Sequence, residues 1–229
     1  MVFEYKSLYI TNESDRAEKA RKEGRYVILL LPLIGEIPDM SAYPYAIENM
    51  DEVSSEYLDR LILRFENKPW LILETQRCLV REITPEDVDA LYEIYADKEI
   101  TVYMEDLYET KEEEIAYTKD YIACHYRFYE FGMWIIEDKH SGRILGRAGL
   151  DMVEGKETPQ LGFVVRKDSQ KQGIATEVCQ AILKYAKDTL GLKHLEATCD
   201  ERNAASVSLL KKLGFKQAGV ALGTMTWRI

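Results

Sequence analysis

The stretch Arg166-Lys-Asp-Ser-Gln-Lys-Gln-Gly-Ile-Ala175 has residue types and spacing suited to holding a phosphate. Gln160-Leu-Gly-Phe-Val-Val165 leads into it with the composition of a strand, and a helical pattern begins near Ala175. A strand feeding a tight turn at a helix start aims several backbone N–H groups at one point. The helix dipole adds partial positive charge there. Gln170-Lys-Gln-Gly-Ile-Ala175 fits Gln/Arg-x-x-Gly-x-Gly/Ala, in which small residues let the backbone approach a pyrophosphate closely. The turn has no Gly-Lys-Ser/Thr ending and no GxGxxG, so it is neither a nucleoside-triphosphatase loop nor a dinucleotide fingerprint. The expected chemistry is the binding of a phosphorylated cofactor of another kind.

The elements that must position this turn follow from periodicity. Residues 1–73 read as a small α/β unit. Ser7–Thr11 reads as a strand, Ser14–Glu23 as a polar helix ended by Gly24, and Tyr26–Leu31 as a strand buried on both faces. Pro32, Gly35, Pro38 and Pro44 mark a loop before a short strand at Tyr45–Ile47. A helix capped by Ser54 or Ser55 carries Tyr57, Leu58, Leu61, Ile62 and Phe65, and Trp70–Leu73 reads as a closing strand. Residues 74–229 form a second unit, opening on the strand Cys78–Ile83 and a capping box at Thr84-Pro-Glu-Asp87. Thr110 with Glu113 opens a helix whose Ile115, Ile122, Tyr126 and Tyr129 share a face. Met133–Glu137 and Ile144–Met152 are strands around a turn at Ser141-Gly142. After the phosphate turn come a helix, the strand His194–Cys199, a helix capped by Asn203 and ended by Gly214, and an extended tail with Gly219 and Gly223 as turn points.

Composition narrows the classes. The 229 residues suit one large domain or two small ones, and a 46% hydrophobic content supports a sizeable core. Net charge is −10, so the chain lacks the basic excess expected of a nucleic-acid binder. The longest apolar run, Tyr26–Ile34, is shorter than the ~20 residues needed to span a bilayer. With no signal peptide visible, the expectation is a cytoplasmic protein that does not act at a membrane. Cys78, Cys124, Cys179 and Cys199 form no CxxC pair and read as reduced core cysteines. His125, His140 and His194 are scattered and do not resemble a metal site, so no metal is expected.

The surroundings of the turn resemble the GNAT superfamily of acyl-CoA-dependent N-acyltransferases, more closely the branch that includes ribosomal-protein N-terminal acetyltransferases. The resembling residues are Thr75–Asp87, Leu161-Gly-Phe163, Gln170–Glu177, Asn203-Ala-Ala-Ser206 and Lys212-Leu-Gly-Phe215, in family order across residues 74–220. The fold it implies is a GNAT-type mixed, mostly antiparallel twisted sheet flanked by helices, here preceded by the small N-terminal α/β subdomain. The function it implies is transfer of an acetyl group from acetyl-CoA to a primary amine of a small molecule or protein by direct attack. The alternative is a non-catalytic acyl-CoA-binding or sensing protein. The resemblance also assigns roles. Backbone groups of Phe163, Val164 and Val165 would pair with the pantetheine arm. The turn Gln170, Lys171, Gln172, Gly173, Ile174 and Ala175 would hold the pyrophosphate through its N–H groups, and Asn203 and Ser206 would contact the cofactor near its thiol end. Asn203 also reads as a plain N-cap, Gly173 as a turn glycine and Glu177 as a helix-dipole partner.

Two positions depart from the family. Gln160 stands where many members carry a Glu used as base, and Leu210 where many carry a Tyr that protonates the thiolate. Glu137, Asp151 and Glu157 are the substitute bases, and each also reads as a solvated surface carboxylate. Between residues 99 and 114 lie Glu99, Glu105, Asp106, Glu109, Glu112, Glu113 and Glu114, with Tyr103 and Tyr108 interleaved. This segment would attract a cationic amine acceptor, small molecule or peptide, or would simply suit a helix start. The sequence leaves the oligomeric state open, a homodimer among the options.

The first unit resembles the last βαβ portion of haloacid-dehalogenase-type hydrolases over Leu8–Asp15, the helix with Ala17 and Ala20, Gly24, and the strand from Tyr26. Asn12 stands where those enzymes carry a metal-binding Asp, and no DxD motif precedes it. No phosphatase activity is expected. The unit reads as a hydrolase-like remnant serving docking or regulation, or as a structural extension.

Overall fold

The computed structural model describes residues 1–104 and 106–229 and divides them into two compact units, Met1–Trp70 and Leu71–Ile229. Glu105, one of the acidic residues singled out above, lies outside the described residues.

In the first unit, β1 (Val2–Tyr5), β2 (Leu8–Glu13), β3 (Tyr26–Ile34) and β4 (Ala46–Ile47) form one sheet in that order. β1 runs antiparallel to β2, and the other pairs are parallel. Helix α1 (Ser14–Lys22) crosses from β2 to β3 and buries its small face, Ala17 and Ala20, against Val27, Leu29 and Tyr43. Two alanines suffice there because a short polar helix must approach the sheet closely to bury anything. β3 continues past Leu31, where the sequence suggested a loop. Thr11 pairs with Leu29 and Glu13 with Ile34, a register shift that carries the ladder around Pro32 and its missing N–H. Helix α2 (Ser55–Phe65) is capped by the Ser54 hydroxyl, which accepts from Tyr57 N–H at 3.1 Å.

The second unit holds eight strands. These are β5 (Leu71–Glu74), β6 (Cys78–Arg81), β7 (Met133–Asp138), β8 (Ile144–Asp151), β9 (Gln160–Val165), β10 (Glu196–Asp200), β11 (Lys216–Ala221) and β12 (Thr224–Arg228). Their order is β11-β12-β10-β9-β8-β7-β6-β5, antiparallel throughout except for β9 beside β10. The strand expected to close the first unit is therefore the edge of the second unit's sheet. β5 pairs with β6 across the short turn at residues 75–77, so hairpin geometry decides its allegiance.

The helices of this unit are α3 (Val88–Tyr95), α4 (Lys98–Thr101), α5 (Lys111–Asp120), α6 (Arg127–Tyr129), α7 (Ile174–Asp188) and α8 (Ala204–Lys212). Residues on facing strands alternate between the two sides of the sheet. Trp134 stacks edge-on against Tyr185 of α7 on one side, while Arg147 donates to Tyr95 of α3 on the other. Both capping boxes form, Thr84 with Asp87 and Thr110 with Glu113.

The expected apolar face of α5 is corrected. Its buried residues are Glu114 and Thr118, because the Glu114 carboxylate turns inward to accept from Tyr108 N–H at 3.0 Å. Tyr121–Tyr126 then winds as a π-helix, which shifts the phase so that Tyr126 is buried. The cysteines are free, but Cys124 is exposed on this turn rather than in the core. Among the described residues no helix is long and apolar enough to cross a membrane, and no cluster of three potential ligands could hold a metal.

Candidate active site

The sheet comes apart between its two parallel strands. β9 pairs with β8 from Gln160–Asp151 to Val165–Gly146, but with β10 only at Gln160–Glu196. The phase of the ladder follows from its ends. Arg166 N–H donates to Leu145 C=O at 2.7 Å, and on the other edge of β8 Leu150 N–H donates to Gly132 C=O at 3.1 Å. Opposed residues alternate between bonded and non-bonded pairs. Gly162 and Val164 therefore turn their N–H and C=O toward β8, while Phe163 and Val165 turn theirs toward the opening. The Gln170 side-chain amide donates to Val165 C=O at 2.9 Å, tying the turn to this edge. Val164 is thus the exception among the three residues expected to pair with the arm, because β8 occupies its backbone.

The phosphate turn follows β9. Lys171 (φ 59°) and Gly173 (φ 82°) are both left-handed, and α7 starts at Ile174 with no side-chain cap. The first-turn N–H groups, Ile174 and Ala175 among them, have no carbonyl within the helix to donate to. Gln172 is fixed from within, its side chain donating to Asp168 C=O at 2.8 Å. Glu177 is more than a dipole partner: it accepts from Arg77 N–H at 2.9 Å and from its guanidinium at 2.7 Å, while Arg77 also donates to Gln172 C=O at 2.9 Å. Burial pushes the Glu177 carboxyl up, but bonds from Thr75 and Arg77 outweigh it and hold the group below the usual range. Beyond β10, Asn203 Oδ1 accepts from Ser206 N–H at 3.1 Å, so the N-cap forms and uses only the oxygen of the amide.

The three candidate bases separate. Glu137 is paired with Arg81 at 2.7 Å, and Arg81 also grips Asp87 through two bonds of 2.8 Å, so this carboxylate belongs to a structural network. Glu157 is exposed on the connection before β9. Asp151 ends β8 directly across from Gln160, at the mouth of the opening. Burial raises its carboxyl above the usual range, against a lowering by His125. His125 Nε2 stands 3.4 Å from Asp151 Oδ1, within ion-pair range but off hydrogen-bond alignment, and burial lowers the imidazole below its usual value. His125 stacks on Tyr121 at 4.4 Å. Leu210 is buried.

Next to the Asp151–Gln160 pair, Met133, Gly149 and Gly162 form a row across β7, β8 and β9. The two glycines leave a floor without side chains. A Cβ at Gly162 would stand 3.1 Å from Met133 Sδ. Sequence reasoning missed His125 and Tyr121; their spacing of four residues on a predicted helix was the available signal. Much of the acidic segment is engaged elsewhere: Glu99 pairs with Lys167, Glu113 caps α5, and Glu114 is buried.

An opened parallel strand pair beside an uncapped helix start is the arrangement the GNAT resemblance implies for an acyl-CoA-dependent N-acyltransferase. The acetyltransferase (GNAT) domain family matches residues 77–216, and the chain belongs to that family. It is 30% identical over 152 residues to the uncharacterized N-acetyltransferase YoaA of Bacillus subtilis (strain 168), covering 65% of this chain and 85% of that protein. Two solved structures share the fold. A GNAT-family acetyltransferase from Bacillus anthracis superposes with a TM-score of 0.59 at 20% identity, over 69% of this chain and 96% of that one. RimL, a ribosomal L7/L12 alpha-N-protein acetyltransferase in complex with coenzyme A, gives 0.57 at 18% identity, over 70% and 97%. The chain is an N-acetyltransferase, and GNAT acetyltransferases take their acetyl group from acetyl-CoA.

Proposed function

We propose that this chain transfers acetyl from acetyl-CoA to the α-amine of a peptide or to a comparable primary amine, with Asp151 as the base. The observation that carries the reading is the edge of β9: Phe163 offers its N–H and C=O, and Val165 its N–H, where β10 no longer pairs, and the edge leads straight to the uncapped start of α7. These residues fit the cofactor, since orphaned strand groups suit its amide-bearing arm and left-handed Lys171 and Gly173 shape a nest for its pyrophosphate. When bound, acetyl-CoA supplies an activated thioester. The chain does the rest. Phe163 N–H orients and polarises the acyl carbonyl. Asp151, with its raised proton affinity and a path to solvent, accepts the proton of the incoming amine.

The absence of a tyrosine at Leu210 is tolerable because a thiol with a pKa of about 8.5 leaves readily as thiolate. An α-amine, with a pKa near 8, yields its proton to a carboxylate more easily than a lysine amine near 10.4. The RimL name points to an α-amine as well. Exposed Asp106, Glu109 and Glu112 favour an acceptor carrying further positive charge. Residues 1–70 lie outside the family match, and we read them as an accessory docking or regulatory module. The test is thiol release from acetyl-CoA over a panel of peptides and small amines. Turnover should appear, and Asp151→Asn should lower kcat about 10²–10⁴-fold with coenzyme A affinity unchanged. Wild-type turnover in Asp151→Asn would remove Asp151 from this role.

A further inference from the structure

The π-helical turn Tyr121–Tyr126 sets a histidine against the base. Residues Tyr117, Tyr121, His125 and Tyr129 are four apart and form a continuous ring ladder, with centroid distances of 6.0, 4.4 and 4.8 Å in order. The wide π winding is uncommon and recurs at functional sites. The ladder is anchored: Tyr121 hydroxyl accepts from Met133 N–H at 2.9 Å, and Tyr126 hydroxyl accepts from Ile83 N–H and donates to Met133 C=O. The imidazole therefore sits between two rings on a backbone pinned to β7. Its Nε2 is buried, finds no aligned partner, and faces Asp151 Oδ1 across 3.4 Å.

We infer that His125 is the positioning residue for Asp151: its neutral Nε2–H holds one carboxylate oxygen so that the other meets the acceptor amine. This rests on Asp151 being the base. Catalytic hydrogen bonds are often loose in unliganded enzymes and tighten when the site fills. Burial raises the proton affinity of the Asp151 carboxyl and His125 works against that rise, as a donor facing one oxygen would. The groups facing the pair are few. Tyr121 and Tyr129 flank His125, while Arg147 of β8 and Tyr117 and Tyr121 of the helix act on Asp151. The Met152 backbone N–H also bonds the carboxylate. Arg147 is engaged by Tyr95, its Nε donating at 2.8 Å, so His125 is the side chain placed to complete the set.

The experiment separates donor from ring. His125→Phe keeps the stack and removes the N–H; His125→Gln keeps an N–H donor and removes the ring. The Asp151 carboxyl carbon is titrated by ¹³C NMR with coenzyme A and a lysine-free peptide bound. The acidic limb of kcat is measured with acetyl-CoA and a saturating lysine-free peptide. Donation predicts that His125→Phe raises both the Asp151 midpoint and the limb by about one pH unit, while His125→Gln keeps both near wild type. An unmoved midpoint in His125→Phe overturns the inference, as does a shift in His125→Gln that His125→Phe does not show. Asp151→Asn, assayed alongside, judges the base itself. If it keeps full kcat, the base reading fails, and the positioning role fails with it whatever the titration gives. If it loses kcat while the titration is flat, only His125's role fails.

Discussion

At the scale of single residues, the site depends on side chains that are missing as much as on those present. Gly149 lies two residues before Asp151 on the same face of β8, and a Cβ there would come within 2.0 Å of Gly132 C=O and 2.8 Å of Met133 Cα. Both contacts are backbone, so neither can swing aside. Gly149→Ala should destabilise the second unit by about 3 kcal/mol, at the upper end of overpacking penalties, read as a lowered urea midpoint. Gly162→Ala should cost less, because what it meets is the flexible end of Met133. The tight turn before α7 and the Asn203 cap were legible in the sequence because each belongs to a short local motif. His125 was not, since its partner Asp151 is distant in sequence and the two meet only through the π-helical turn. Val164 could not be told from its neighbours without the phase of the β8–β9 ladder.

At the scale of elements, that phase makes a testable difference between adjacent residues. Proline removes a backbone donor. At Val164 the N–H is spent on β8, so Val164→Pro should lower the melting temperature by several degrees. At Phe163 the N–H faces the opening. Phe163→Pro should leave the melting temperature closer to wild type and weaken coenzyme A binding about tenfold or more, by calorimetry. Equal stability losses with unchanged affinity would mean the ladder phase had been misassigned. Element starts were readable from Ser54, Thr84, Thr110 and Asn203, because a cap is a local hydrogen bond that a few residues specify. The buried side of α5 was not, since a charged residue, Glu114, satisfies a loop amide from within. The allegiance of β5 was not either, because pairing partners are chosen by a hairpin that periodicity does not see.

At the scale of the whole molecule, ionisation links the site to stability. The folded-state pKa of His125 lies below 6.5, so the unfolded chain takes up its proton first, and stability present above pH 6.5 is lost as pH falls below it. Glu177 and Glu196 are held below 4.5, so their contribution is present above pH 4.5 and is lost as pH falls through their folded values. Asp151, raised above 3.8, acts in the opposite sense and gives back some stability in acid. Thermal unfolding followed from about pH 8 to pH 3 should therefore show a first decline near pH 6.5 that His125→Phe abolishes and a second below pH 4.5 that it does not. The second unit's mixed sheet agreed with what the motif order implied, whereas the π-helical turn and the strand Val2–Tyr5 emerged only from the structure.

The lapse between β9 and β10 has one further consequence. A sheet normally hides its unpaired edges at its margins, where charge or short length discourages other chains from adding on. This sheet keeps one in its middle, flanked by apolar Phe163 and Val165. Under the proposed function, a donor bound there would also act as a removable strand, covering that edge. On the proposed reading, saturating coenzyme A should raise the unfolding temperature and lower the concentration-dependent aggregation of the purified protein, both readable in one thermal-shift and light-scattering series.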